Sequence, residues 1–222
     1  MSLRLVERAA RRLRNAATEI LKGRGRQETW IDVGAHHGEG SLWCAEQNPG
    51  VKVYAFEPNL REAVKLLGRT PNFFVIPMAV AERDGQAEFH INRFAAASSL
   101  LPMREDSRKS WIGGEALAVE STTTVPTIRL DTFMNLAEIR RVDFLKIDAQ
   151  GMDLTILKSA GKRLRDVAKI TVEVDVSPRP LYVGSPSKQE ALAFLQDSGF
   201  ELLQAQQQNS GQEENLTFVR VK

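Results

Sequence analysis

The chain has 222 residues, room for one α/β domain of ordinary size or at most two small ones. Hydrophobic residues make up 42% and charged residues 26%, which excludes wholesale disorder. Formal net charge is only +2, against a chain built mainly to coat nucleic acid, and the single Cys44 excludes an intrachain disulfide and a multi-cysteine zinc cage.

The first 28 residues are basic, with eight Lys/Arg against three Asp/Glu. Leu3, Val6, Ala10, Leu13, Ala17 and Ile20 recur at spacings of three and four, which predicts an amphipathic helix over 3–22. Arg4, Arg8, Arg11, Arg12 and Arg14 fall largely outside the stripe, and Gly23-Arg24-Gly25-Arg26 ends it. Such a helix packs on its own domain or on the same helix of a second chain, giving a homodimer. A membrane-surface or RNA-binding arm is the competing reading, but small alanines and no Trp or Phe make a poor anchor. No apolar run approaches the roughly 20 residues of a membrane span, and the N-terminus lacks the apolar core of a secretory peptide, so the cytosol is the expected compartment.

From residue 29 onward short apolar runs alternate with helical stretches. Strands are predicted at Thr29–Val33, Val51–Phe56 and Phe73–Pro77, with helices at 39–48 and Leu60–Gly68 between them. Gln86–Asn92 and Thr122–Ile128 alternate like exposed strands. Residues 93–121 between them lack periodicity and contain Gly113-Gly114, which suggests a lid or an acceptor-facing insert. Then follow a helix Asp131–Ile139, a strand Val142–Asp148, a helix Asp153–Arg165, a strand Lys169–Val176 and a helix 187–198. Phe200–Gln206 and Leu216–Val221 close the chain as an antiparallel hairpin around a polar loop, Gln207–Glu214. Near-continuous apolar strands alternating with helices predict an α/β fold with a parallel sheet covered on both faces.

The first strand ends in Asp32 and turns through Gly34-Ala35-His36-His37-Gly38 into a helix. Ligands of open α/β sheets sit beyond such carboxyl ends. A dinucleotide fingerprint would need glycines at 36 and 39, where the chain has His36 and Glu39. Asp32 would repel a pyrophosphate but suits a cationic ligand such as S-adenosylmethionine, with its ammonium and sulfonium. Glu57-Pro58-Asn59 ends the second strand, where an acid can accept hydrogen bonds from both ribose hydroxyls. Asp148 ends the fourth strand before Gly151, and the fifth carries Thr171, Glu173 and Asp175 on one face.

Together these segments resemble the FkbM family of S-adenosylmethionine-dependent methyltransferases. The stretches that carry the resemblance are IDVGAHHGEGSLW, VYAFEPN, VIPMAVAERDG, ASSL at 97–100, VPTIRLDTF, VDFLKIDAQGMDLTILKSA and NLTFVR. They span about 29–221, so 1–28 is set apart as the basic helix and 29–222 as the methyltransferase domain. The resemblance implies a class I, Rossmann-like methyltransferase fold: seven strands, order 3-2-1-4-5-7-6, the last antiparallel. It also implies transfer of a methyl group to a hydroxyl of a sugar or secondary metabolite, with S-adenosylhomocysteine as product. Carried over by position, Asp32, Gly34, Ala35, His36 and Gly38 shape the methionine end. Glu57 holds the ribose with Pro58 and Asn59 beside the adenine, Ala79 and Val80 line its pocket, and Asp148 faces the ammonium or the reacting centre. The family commonly has Asp-x-Glu-Gly where this chain has Asp148-Ala149-Gln150-Gly151, and Gln150 cannot act as a carboxylate base.

An alcohol acceptor must lose a proton, so a base is useful. Candidates are Asp148, Glu173, Asp175, His36 and His37, with Glu173 and His37 ranked together. A metal could replace the base, and Asp148, Gln150 and Glu173 could form a weak oxygen site, but no metal is assigned. A nucleic-acid or protein methyltransferase would use the same cofactor pocket, though no Asn-Pro-Pro-Tyr type loop follows the fourth strand, and no nucleic-acid partner is expected. An NAD-dependent oxidoreductase is disfavoured by the glycine spacing. A non-catalytic module with a relic pocket is the remaining alternative.

Overall fold

The fold is known from a computed structural model, which describes residues 26–111 and 113–221. The predicted helix over 3–22 lies outside those residues. In chain order the strands and helices are β1 (Glu28–Val33), α1 (Ser41–Gln47), β2 (Val51–Phe56), α2 (Leu60–Leu66), β3 (Phe73–Ile76), β4 (Ala79–Val80), β5 (Gly85–Asn92), α3 (Glu105–Ser110) and β6 (Val119–Ile128). They continue with α4 (Leu130–Leu136), β7 (Phe144–Ile147), α5 (Asp153–Ser159), β8 (Lys169–Asp175), α6 (Lys188–Asp197), β9 (Phe200–Gln208) and β10 (Glu213–Arg220).

Seven strands form one sheet in the order β3-β2-β1-β7-β8-β10-β9. Counted within that sheet alone the order is 3-2-1-4-5-7-6, and β10 runs antiparallel to both its neighbours. This is the class I methyltransferase arrangement the resemblance implied. Side chains alternate across β1: Trp30 packs with Leu42, Leu66 and Phe144 under α1 and α2, while Ile31 and Val33 join the larger core with Leu130, Leu157 and Phe218. Each large aliphatic or aromatic side chain so buried contributes about 1.5–3 kcal/mol of transfer free energy.

A second sheet, β4-β6-β5, stands beside the first. β5 and β6 pair antiparallel from Gly85↔Thr127 to Asn92↔Val119, so residues 93–118 are the long connection of a hairpin. That connection holds α3 and two 3-10 turns, Ala95–Ala97 and Gly114–Leu117. It also builds a small core: Ala97, Trp111 and Leu117 pack with Leu181 and Tyr182. Arg104 N donates to Leu181 O at 2.8 Å and Val183 N to Pro102 O at 2.9 Å, tying it to the segment after β8.

Several predicted boundaries move, each for a local reason. The helix predicted over 153–165 stops at Ser159, because Gly161 turns left-handed (φ 50°) and the chain continues as a 3-10 turn to Asp166. The helix predicted to Ile139 stops at Leu136, before Glu138 (φ 52°). Half of the polar loop predicted over 207–214 is strand: Gln207 and Gln208 pair with Glu214 and Glu213, and the turn is confined to 209–212, with Asn209, Ser210 and Gly211 left-handed near 42°, 59° and 88°. No helix among the described residues is long and apolar enough to cross a membrane.

Candidate active site

Two turns face each other at the carboxyl ends of β1 and β7. Gly34 (φ 75°) allows them to touch, since a Cβ there would lie 1.9 Å from the Asp148 carbonyl oxygen. His36 (φ 46°) and Gln150 (φ 53°) are held left-handed in the same two turns, and such backbone costs about 1–3 kcal/mol per non-glycine residue.

Between the turns opens a cleft of about 520 Å³. Its polar wall includes Glu57, His36, Asp148 and Gln150; its apolar wall includes Met78, Ala79, Val80 and Ala95. Ser99 closes one side: its backbone pairs with His90, and its Oγ donates to Gln150 O at 2.8 Å. Glu57 is buried, and its two oxygens accept the backbone N–H groups of His36 and Asn59, each at 2.8 Å. Burial raises the Glu57 carboxyl above its ordinary value, and those two N–H groups act against the rise.

Of the residues singled out for the cofactor, Gly34, His36, Glu57, Pro58, Ala79, Val80 and Asp148 line this cleft. Asp32, Ala35, Gly38 and Asn59 do not. Ala35 is part of the core under α1. Gly38 (φ 69°) makes room for Leu42, whose Cβ would be 2.8 Å from a Cβ at position 38. Asn59 caps α2, its Oδ1 accepting from Arg61 N at 3.1 Å. Asp32 faces a cation of the chain's own: it is the direct β1–β7 neighbour of Lys146, whose Nζ lies 3.2 Å from Oδ1. Ser41 Oγ donates to its other oxygen. Burial alone would lower the Lys146 ammonium, but Asp32, Asp148 and Glu39 outweigh it and hold it above its ordinary value. Sequence reasoning gives Lys146 no role; its signal is a lone cation between Phe144, Leu145 and Ile147 in a buried strand.

A second cavity of about 500 Å³ opens on the far side of the Asp148–Gly151 turn. Asp153, Glu173, Asp175, Glu213 and Tyr182 line it. Gln150 separates the two spaces: its Nε2 donates to Asp148 Oδ1 at 3.0 Å and to Glu173 Oε2 at 2.9 Å. Tyr182 O–H lies 2.8 Å from both Gln150 Oε1 and Ala97 O. Asp153 ties strand to turn, accepting from Glu173 N at 3.1 Å. Asp175 accepts from Ser177 N and Leu181 N, which shapes the loop after β8. His37, ranked beside Glu173 as base, lines neither cavity: its ring lies 3.2 Å from Glu62, half exposed. Tyr182, Asp153 and Glu213 escape sequence reasoning, and only Asp153, an acid opening a helix beside the DAQG turn, leaves a local signal.

The carboxyls crowd one another. Burial, then Asp148, raises Asp153 to about 7 and Glu173 well above the carboxylate range. Burial raises Glu213 to about 8, against the Asn209 amide and with Asp148 behind it. A carboxyl whose folded value exceeds its unfolded value of about 4.3 binds its proton more tightly when folded, so it loses stability as pH rises through that interval. Glu213→Gln should therefore gain stability relative to the parent between about pH 4.5 and 8. Melting curves at pH 5 and pH 9 check this, and a gap that does not widen with rising pH would show that Glu213 is charged throughout.

Residues 32–202 match the Methyltransferase FkbM domain. The chain belongs to the FkbM methyltransferase family. It is an S-adenosylmethionine-dependent methyltransferase. Among curated relatives, 2-O-methyltransferase NoeI of Sinorhizobium fredii is 22% identical over 78% of this chain and 72% of its own. Hexuronic acid methyltransferase AglP of Haloferax volcanii is 25% identical over 67% of this chain, which spans 56% of that relative. The fold is shared with Aeropyrum pernix fibrillarin, solved with natively bound S-adenosyl-L-methionine, at a TM-score of 0.50 and 12% identity, covering 92% of this chain and 74% of that one.

Proposed function

We propose that this methyltransferase acts on a hydroxyl of a carbohydrate, binding S-adenosylmethionine in the cleft between the β1 and β7 turns and its acceptor in the acidic cavity beside it. The observation that carries the reading is the pair of spaces parted by Gln150, one with a ribose-type acid and apolar walls, the other lined with hydrogen-bond acceptors. Carboxylates and a phenol suit an acceptor rich in O–H donors. The names of the two curated relatives, for 2-O-methylation and for a hexuronic acid, support the same class.

The chain's residues fit the cofactor. Each Glu57 oxygen keeps a lone pair after taking one backbone N–H, so the carboxylate can accept from two ribose hydroxyls. Pro58, Met78, Ala79 and Val80 offer an apolar slot for a base. Asp148 supplies negative charge to the cleft wall, whereas Asp32 acts one step back by holding Lys146. S-adenosylmethionine supplies a methyl carbon activated by its sulfonium. The protein's part is alignment, which lowers a barrier by several kcal/mol when reacting atoms are held in line.

Burial, then Asp148, raises Glu173 well above the ordinary carboxylate range, which favours its protonated form and suits it to orienting the acceptor rather than to acting as the base. The role of taking the hydroxyl proton falls in this reading to Asp148, which is one-third exposed and lines the cleft assigned to the cofactor. Gln150 keeps the two carboxyls apart and gives each an N–H.

The test is methyl transfer to a panel of sugars, oligosaccharides, amines and RNA, read by mass spectrometry of the acceptor. Carbohydrate methylation lost in Asp148→Asn is the expected result; transfer only to amines or RNA would overturn the acceptor assignment. Glu57→Ala should weaken S-adenosylhomocysteine binding by about 1.5–3 kcal/mol, the scale of hydrogen bonds to a charged group. Wild-type affinity by calorimetry would remove Glu57 from the ribose.

A further inference from the structure

One cluster of ligand-type side chains has no part in the reaction proposed above. His36, His37 and Glu62 each present a donor atom, and the three donors lie within 4.8 Å of one another. They come from the β1–α1 turn and the first turn of α2, two segments that the fold brings together. We propose that His36, His37 and Glu62 form a site for one divalent transition metal of zinc-like preference.

The donor set suits such an ion: two imidazoles and a carboxylate are borderline ligands that bind zinc, cobalt or nickel and leave a fourth position open. The spacing suits it too. Two ligands each about 2.0–2.1 Å from a tetrahedral zinc stand about 3.3 Å apart. His37 Nδ1 and Glu62 Oε2 are 3.2 Å apart, already at that separation. The His36 and His37 rings lie with centroids 3.7 Å apart, tilted 41° to one another, and His36 Nδ1 meets Glu39 Oε1 at 2.9 Å. A carboxylate behind an imidazole fixes the ring and presents its other nitrogen, as it does behind metal-bound histidines. Glu62 is buried on a helix and cannot swing away, while His37 is half exposed and can close on an ion.

Lys65 is the competitor. Its Nζ lies 2.6 Å from Glu62 Oε2, but the side chain is exposed and can move into water when a dication takes its place. The site touches the cofactor turn through the backbone, since the His36 N–H holds Glu57. A metal here would fix the turn whose His36 lines the cleft. The proposal does not depend on which acceptor is methylated.

The experiment uses the full chain, without a histidine tag and freed of metal by chelator and dialysis. Zinc is titrated by calorimetry, and cobalt by visible absorption. Expected are one zinc per chain with roughly micromolar affinity or better and cobalt bands of a nitrogen- and oxygen-ligated centre. His37→Ala should weaken zinc binding by about tenfold or more, and Glu62→Gln likewise if it folds. Lys65→Ala should tighten it, and His90→Ala should leave it unchanged. Zinc affinity unaltered in His37→Ala, or no saturable binding to the parent chain, would overturn the site. Because the readout is metal binding, it stands or falls separately from the methyl-transfer assay.

Discussion

Exchanging Lys146 for methionine should destabilise the fold by about 3–5 kcal/mol, the cost of removing one partner from a buried ion pair. For a domain of this size that lowers the melting temperature by about 6–20 °C. Among the described residues, Asp32 would keep only the Ser41 hydroxyl, with its carboxylate still buried. Lys146 also stands 3.6 Å from Asp148, so the loss would extend to the turn that carries the proposed base. Adding Asp32→Asn to Lys146→Met should return much of the stability, because the uncompensated charge is then gone. Equal melting points for Lys146→Met and the parent would show that the pair contributes nothing.

The same pair marks the limit of what the sequence discloses. Strand ends are legible because their signals are local: an apolar run, then an acid, then glycine or proline. Asp32, Glu57 and Asp148 all carry that signal, and all three stand at adjacent strand ends. Their partners are not legible, because the pairing is not local. Lys146 lies 114 residues from Asp32, and only the parallel register of β1 and β7 sets them side by side. That register turns a ligand-seeking acid into an internally neutralised one.

The cavity proposed for the acceptor is half legible. Glu173 stands out with Thr171 and Asp175 as the polar face of a strand whose other face is apolar, but Glu213 is hidden in a run of Gln, Asn and Glu that reads as loop. Its strand character comes from the ladder with β8, where Glu213 pairs with Asp175. Tyr182 gives no local signal, since the irregular segment after β8 offers no period to read. The 93–121 segment stands out by its length and its lack of period. Its Trp111 and Leu117 belong to a small core with Tyr182, so one edge of this segment is packed against the side chain that bonds Gln150. Position of the Asp148–Gly151 turn and packing of the insert are thereby coupled.

Gly34→Ala is the smallest substitution with a large expected effect. The added Cβ would lie 1.9 Å from the Asp148 carbonyl oxygen, a backbone atom that cannot step aside like a flexible side chain. Left-handed backbone at a non-glycine residue and forced overpacking each cost about 1–3 kcal/mol, so a loss of about 2–6 kcal/mol in stability is expected. Relief requires the β1 and β7 turns to part. Parting them moves Asp148 and Gln150 away from His36 and Glu57 and widens the cofactor cleft, so S-adenosylhomocysteine affinity should fall even at temperatures where the variant stays folded. Gly50 is the matched control: a Cβ added there would meet no atom within 4 Å, and its backbone is not left-handed. Gly50→Ala should leave stability and cofactor affinity close to the parent. Denaturation curves and calorimetry on the two variants separate the outcomes. If Gly34→Ala is destabilised but binds cofactor like Gly50→Ala, the contact between the turns supports the fold without shaping the cleft.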